Sequence, residues 1–146
     1  MIFVKVVIQR VKEARVEVNG KIVGQIQQGL LLLVGIEKGD REEDVVKVAN
    51  KIGKMRIFED SYGKMNLSIQ DIQGKILSVS QFTLAANVAK GNRPSFDSAE
   101  QPSLAQPLFD RFNHEIRQMG IEVSTGVFAA MMDVILVNDG PVTFII

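Results

Sequence analysis

The sequence contains no cysteine and a single histidine, His114. Without cysteine there is no disulfide, no thiolate metal site and no thiol nucleophile. One histidine is too few for the usual three-ligand zinc site, and any Ser-His-Asp triad would have to use His114. That residue sits mid-helix among polar neighbours, where a surface or partly packed imidazole is the plain reading. No metal and no cofactor are therefore expected. Neither sign of charge is in excess: 17 basic and 17 acidic side chains give a formal net charge of zero. Wrapping a long nucleic-acid backbone takes a basic face, so no DNA partner is expected, although a short single-stranded end could still be gripped. Long apolar runs are missing too. The longest, Leu30 to Ile36, is far too short to cross a bilayer. Met1 to Val6 has neither a basic leader nor a small-residue cleavage site. The expectation is a cytoplasmic protein with no membrane partner. A glycine-rich phosphate cradle is also lacking, since Gly29 and Gly35 flank a strand and neither opens a phosphate loop.

What is present suits one domain spanning residues 1–146, with 46% hydrophobic and 23% charged residues. Met1 to Ile8 reads as a strand. Ala14, Val16 and Val18 alternate with polar residues and continue across the tight turn Asn19-Gly20 into Ile22–Ile26. The continuously apolar Leu30–Ile36 reads as a strand covered on both faces. Asp40, with Glu43 three residues on, predicts a capped helix start, and Val45, Val48, Ala49 and Ile52 share one helical face. A short apolar segment at Arg56–Phe58 precedes turn residues Asp60–Lys64. Lys75–Thr83 reads as a strand with a polar end, and Leu84–Gln101 as a long surface loop. Pro102 opens a second helix ending before Gly120, with Leu104, Leu108, Phe112, Ile116 and Met119 as its expected buried stripe. Pro107 should either start that helix or bend it. Ile121–Thr125, Asp133–Val137 and Val142–Ile146 read as closing strands, with hairpins at both ends of the chain. The expected fold is a mixed α/β domain in layers, with two helices on one side of the sheets.

Two strand ends carry candidate chemistry. At Ser78-Val79-Ser80-Gln81-Phe82-Thr83, hydroxyl, amide and backbone N–H groups gather where a strand meets a loop. Strand-end hydrogen bonding explains such clusters in most proteins, but the same donors could stabilise a developing oxyanion. Thr83 is a conceivable nucleophile for which nothing nearby supplies a base. At Asn138-Asp139-Gly140-Pro141-Val142-Thr143, a plain hairpin turn is the default. The functional alternative is a rigid turn presenting backbone groups, which a cis bond before Pro141 would provide.

Taken together, these segments resemble the D-aminoacyl-tRNA deacylase family (also called D-tyrosyl-tRNA(Tyr) deacylase). The resemblance runs through Val7-Ile8-Gln9-Arg10-Val11, Gly29-Leu30-Leu31, Val34-Gly35-Ile36, Arg56-Ile57-Phe58 and Gly63-Lys64-Met65-Asn66. It continues through Ser80-Gln81-Phe82-Thr83-Leu84, Arg93-Pro94-Ser95-Phe96 and Asn138 to Thr143. It implies a three-layer β/β/α sandwich and a homodimer with active sites at the dimer interface. It implies that Ser80, Gln81, Phe82 and Thr83 line the catalytic pocket, and that a cis Gly140-Pro141 turn of each subunit reaches into its partner's site. Phe128 and Met132 would help to hold the terminal adenosine. The implied reaction is hydrolysis of the ester of D-aminoacyl-tRNA, gripped by its acceptor end, with L-aminoacyl-tRNA rejected. Glycine misattached to a non-cognate tRNA is a further implied substrate. The tRNA 2′-hydroxyl would assist attack, with backbone donors near Gln81 and Phe82 stabilising the developing charge. Two alternatives stay open: Thr83 as a covalent nucleophile on the same substrate, and a non-catalytic module that binds the tRNA end.

Overall fold

A computed structural model of the protein describes residues 4–146. Part of the strand expected at Met1–Ile8 lies outside them; from Lys5 on it belongs to β1 (Lys5–Val18). β2 (Lys21–Ile26) and β3 (Gly29–Gly35) follow, then α1 (Glu42–Lys54), the short pair β4 (Phe58–Glu59) and β5 (Met65–Leu67), and β6 (Lys75–Ser80). A 3-10 turn over Phe82–Ala85, helix α2 (Pro102–Gln118), β7 (Val123–Thr125) and β8 (Asp133–Ile145) complete the chain.

The layering follows from β1. Its first half pairs antiparallel with β3, Lys5 opposite Gly35 through Val11 opposite Gly29. Its second half pairs with β2, Ala14 opposite Ile26 through Val18 opposite Lys21. β8 pairs with both halves, from Val7–Ile145 to Glu17–Asp133. β6 extends the sheet parallel to β3, and β7 parallel to β6. Val6 and Ile8 point into a core shared with both helices, whereas Val11, Ala14 and Val16 point into a second core. The register shifts flanking Val11 mark where β1 changes face. In β3, strand alternation sends Leu30, Leu32 and Val34 to the helix side and Leu31 and Leu33 to the other. The result is α1 and α2 on one side, a central sheet, and the outer portion of β1, β2 and β8 on the far side. This is the three-layer β/β/α arrangement that the resemblance implies. No helix among the described residues is long and apolar enough to cross a membrane.

Several local expectations are corrected. The N-cap of α1 is Arg41, in extended conformation, and its N–H donates to Asp44 Oδ2 at 2.9 Å. Asp40 instead turns inward and accepts the Glu37 N–H at 2.7 Å. The stripe of α2 holds at Leu108, Phe112, Ile116 and Met119 but fails at its start: Leu104 is 56% exposed, and Ala105, Phe109 and Asn113 are buried instead. α2 runs through Pro107 from its start at Pro102. No hairpin forms near the end of the chain, because both expected strands belong to the single strand β8. Residues 139–142 bulge from it opposite Arg10 alone, between the pairs Val11–Asn138 and Gln9–Thr143.

Candidate active site

β6 leaves the sheet after Ser80, the last residue with a β3 partner, Val34. The expected strand therefore stops three residues short of Thr83, and the chain tightens into the 3-10 turn. The Gln81 N–H donates to the Val34 carbonyl at 2.8 Å, and the Leu84 N–H to the Gln81 carbonyl at 3.2 Å. Gly35 makes this packing possible. A Cβ there would come within 2.9 Å of the Leu84 Cβ and 3.1 Å of the Gln81 carbonyl. The Phe82 and Thr83 N–H groups, at the open start of the turn, have no acceptor among the described residues. The Gln81 side-chain amide donates to Thr83 Oγ1.

This turn forms one wall of a cleft of about 660 Å³. Ser80, Gln81, Phe82 and Thr83 all line it. The opposite wall comes from the loop between β7 and β8, which brings Phe128 and Met132. Phe128 is braced by the buried Phe109 of α2, with ring centroids 6.1 Å apart. Met132 packs against the outer core. Phe82 and Phe96 meet edge to face across the rim at 5.3 Å. Pro102 and Ala105 at the start of α2, together with Glu100, complete the mouth. The cleft is mostly apolar with a few polar groups on one wall, as small-ligand sites usually are.

Gly140 and Pro141 do not line it. They sit in the bulge of β8, joined by a cis peptide bond. Gly140 has φ +128°, and a Cβ there would lie 2.8 Å from Val142 Cγ2 and 2.9 Å from the Val142 nitrogen. Six of the eight expected site residues thus share one cleft, while the other two form a separate, tightly built turn on the same chain. His114 is exposed on α2. Among the described residues no group of three or more His, Cys, Asp or Glu side chains is placed to hold a metal ion.

The family model described as D-Tyr-tRNA(Tyr) deacylase matches residues 7–146. The D-aminoacyl-tRNA deacylase of Geobacter sulfurreducens is 59% identical over 142 residues, 97% of this chain and 93% of that one. This chain belongs to the D-aminoacyl-tRNA deacylase family. The deacylase of Aquifex aeolicus is 56% identical over 97% of this chain and 96% of its own. Among solved structures, the c-Myc DNA unwinding element binding protein superposes with a TM-score of 0.91 at 38% identity, covering 97% of each chain. A probable eukaryotic D-amino acid tRNA deacylase shares the fold at a TM-score of 0.85 and 18% identity, covering 98% of each.

Against this family background, sequence reasoning missed one residue of the turn's architecture. Arg10 is 5% exposed. Its Nη1 donates to the Ile57 carbonyl at 2.9 Å and its Nε to the Asp139 carbonyl at 3.1 Å. The carboxylates of Asp139 and Glu59 lie at 3.4 and 3.7 Å. The guanidinium fills the space opposite the bulge and ties the Gly140-Pro141 turn to the segment entering β4. A signal was available, because Arg10 continues the inward phase of Val6 and Ile8 along β1, where a charged side chain is out of place unless paired.

Proposed function

We propose that this chain hydrolyses the ester joining a D-amino acid to tRNA, releasing the free amino acid and tRNA and sparing L-aminoacyl-tRNA. The observation that carries this reading is the convergence of Ser80–Thr83, Phe128 and Met132 on one cleft in a chain of this family. An aminoacyl ester is already activated, so it needs a positioned nucleophile and donors for the oxyanion more than a strong protein base. The free Phe82 and Thr83 N–H groups are suited to that charge. The Gln81 N–H is not, being held by Val34. Phe128, stiffened by Phe109, offers a flat apolar face for the terminal adenine, with Met132 beside it. The 2′-hydroxyl of the terminal ribose assists the attack. A covalent route through Thr83 is disfavoured, since its Oγ1 accepts from Gln81 and no histidine or lysine bonds it.

Gly140 and Pro141 act as the chiral gate in a homodimer, each subunit's turn entering its partner's cleft. A gate of main chain yields less than a flexible side chain, and it excludes an L side chain at the α-carbon without recognising any particular D side chain. Glycine misattached to a non-cognate tRNA has no side chain to reject and passes. The protein works in the cytoplasm without a cofactor. The DNA element in the name of the relative at 38% identity finds no counterpart in a chain of zero net charge.

The test is incubation of purified, chelator-treated protein with matched D- and L-aminoacyl-tRNA and with glycine on a non-cognate tRNA. Release of the D-amino acid and glycine, with the L-ester intact, is expected. Tight binding without release would leave a tRNA-end module, and a trapped acyl ester on Thr83 would establish the covalent route. Sedimentation showing an active monomer would remove the shared-site arrangement.

A further inference from the structure

Between the 3-10 turn and α2 the chain forms a small finger beside the cleft. Its base is pinned by two backbone hydrogen bonds, Asn87 N–H to Ser95 carbonyl at 2.7 Å and Ser95 N–H to Asn87 carbonyl at 2.9 Å. The Asn87 side chain accepts the Ala89 N–H at 2.9 Å and shapes the first bend. Gly91, at φ +65°, turns the tip. Every residue from Val88 to Pro94 is exposed. The finger is rooted in the site, because Phe96, next after its base, packs edge to face on the cleft rim against Phe82 of the 3-10 turn.

Its charge is one-sided. No aspartate or glutamate occurs between Asp71 and Asp97, whereas the finger carries Lys90 and Arg93. Neither is in an ion pair with any described residue. The one carboxylate lining the cleft, Glu100, lies beyond the finger's base on the way to α2. A polyanion whose end is seated in the cleft therefore meets two unpaired cations on the finger. Lys90 and Arg93 lie three and two residues from the base, so both cations are exposed while the base stays fixed.

The geometry points to the finger Asn87–Ser95 as the phosphate grip of the site, with Lys90 and Arg93 holding phosphodiester groups of the single-stranded tRNA 3′ end just outside the cleft. This rests on the deacylase reading above. Arginine offers a planar fork that matches phosphate, and lysine a mobile point charge. A local grip of two cations also accounts for how a chain of zero net charge attracts RNA without a basic face.

The experiment compares Lys90→Gln/Arg93→Gln with the unaltered protein on two substrates: D-aminoacyl-tRNA and D-aminoacyl-adenosine, which has the reacting ester but no phosphodiester. For the tRNA, KM should rise roughly tenfold or more at low salt with kcat within twofold. The fall of log kcat/KM with log salt should become shallower by roughly 1.4, about 0.7 for each single-strand phosphate that is no longer neutralised. Kinetics on D-aminoacyl-adenosine should not change. Arg93→Lys should retain most of the affinity. Lys54→Ala, at the end of α1 away from the cleft, should change neither substrate. An unchanged KM and salt slope for tRNA would overturn the assignment, as would an equal loss on D-aminoacyl-adenosine, which would mean that the finger shapes the pocket. Failure of the unaltered protein to turn over either substrate would overturn the deacylase reading itself, and the grip with it.

Discussion

The Nε of Arg10, on the first strand, donates to the backbone carbonyl of Asp139, on the last, at 3.1 Å, while its Nη1 holds the carbonyl of Ile57 at 2.9 Å. One planar fork thus fixes two carbonyls at a set separation, which a lysine ammonium cannot do. Hydrogen bonds to a charged donor are worth roughly 1.5–3 kcal/mol each. Arg10→Lys should lower stability by about that amount, read from the urea midpoint. It should reduce deacylation more than Lys12→Ala, two residues along the strand and exposed. Unchanged stability and activity would show that the clamp is idle.

Gly140→Ala places a Cβ at φ +128° and within 3 Å of the Val142 nitrogen. L side chains rarely adopt that backbone conformation. The bulge must shift, so the expected result is at least a tenfold fall in D-aminoacyl-tRNA turnover, or measurable cleavage of the L-ester, in a protein that still folds. Full D activity with full L rejection would move the gate elsewhere.

Thr83→Ala removes a hydroxyl that only accepts from Gln81 and leaves the Thr83 N–H in place. Activity within about tenfold of the unaltered protein is expected, because a lost nucleophile costs far more, of the order of 10⁴-fold or beyond. Single-turnover kinetics would decide it.

Dialysis against a strong chelator should leave deacylation intact, since among the described residues no carboxylate or imidazole cluster is placed to hold a metal. A loss of turnover restored by added zinc would contradict this.

Asp40 provides a stability prediction. Burial raises its pKa to about 6 from 3.8, helped by the charges of Glu37, Asp44 and Glu100 and opposed by the Glu37 N–H. The folded state therefore binds this proton more tightly than the unfolded chain. The stabilising contribution is complete below about pH 3.8 and is lost as pH rises through about 6, with a slope of up to roughly 1.4 kcal/mol per pH unit between. Asp40→Asn keeps an acceptor for Glu37 and removes the titration. Its urea midpoint should exceed that of the unaltered protein at pH 7.5 and approach it at pH 4. Parallel pH profiles for the two proteins would refute the assignment.

The strands of the core were legible because Leu30–Gly35 and Val16–Ile26 carry their pattern locally. The face taken by the start of α2 was not. Leu104 is apolar but faces out, and Ala105 and Phe109 take the core, a choice made by the sheet beneath and not by the helix. The join of two expected strands into β8 was hidden for a similar reason. Gly140-Pro141 reads as a hairpin turn unless Arg10, far away in sequence, is known to fill the space opposite. Within the cleft, Ser80–Thr83 stood out as polar groups at a strand end. Phe128 and Met132 carried no signal of their own and entered only through the family resemblance. The Gln81 N–H looked available as a donor until Val34 was found to occupy it.

β1 runs through both sheet layers, and that has a consequence for how the protein comes into being. Its partners β2 and β3 follow within a few residues, but β8, which pairs with both its halves, begins at Asp133. Contacts this distant in sequence close late and slow folding. During synthesis, β1 has one edge covered almost at once and the other left open until residue 145 has emerged. The Asp139 carbonyl that receives the Arg10 guanidinium arrives equally late. The nascent chain therefore carries an unpaired edge and a buried-to-be cation until β8 has been made. Shielding that edge falls to whatever meets the chain at the ribosome.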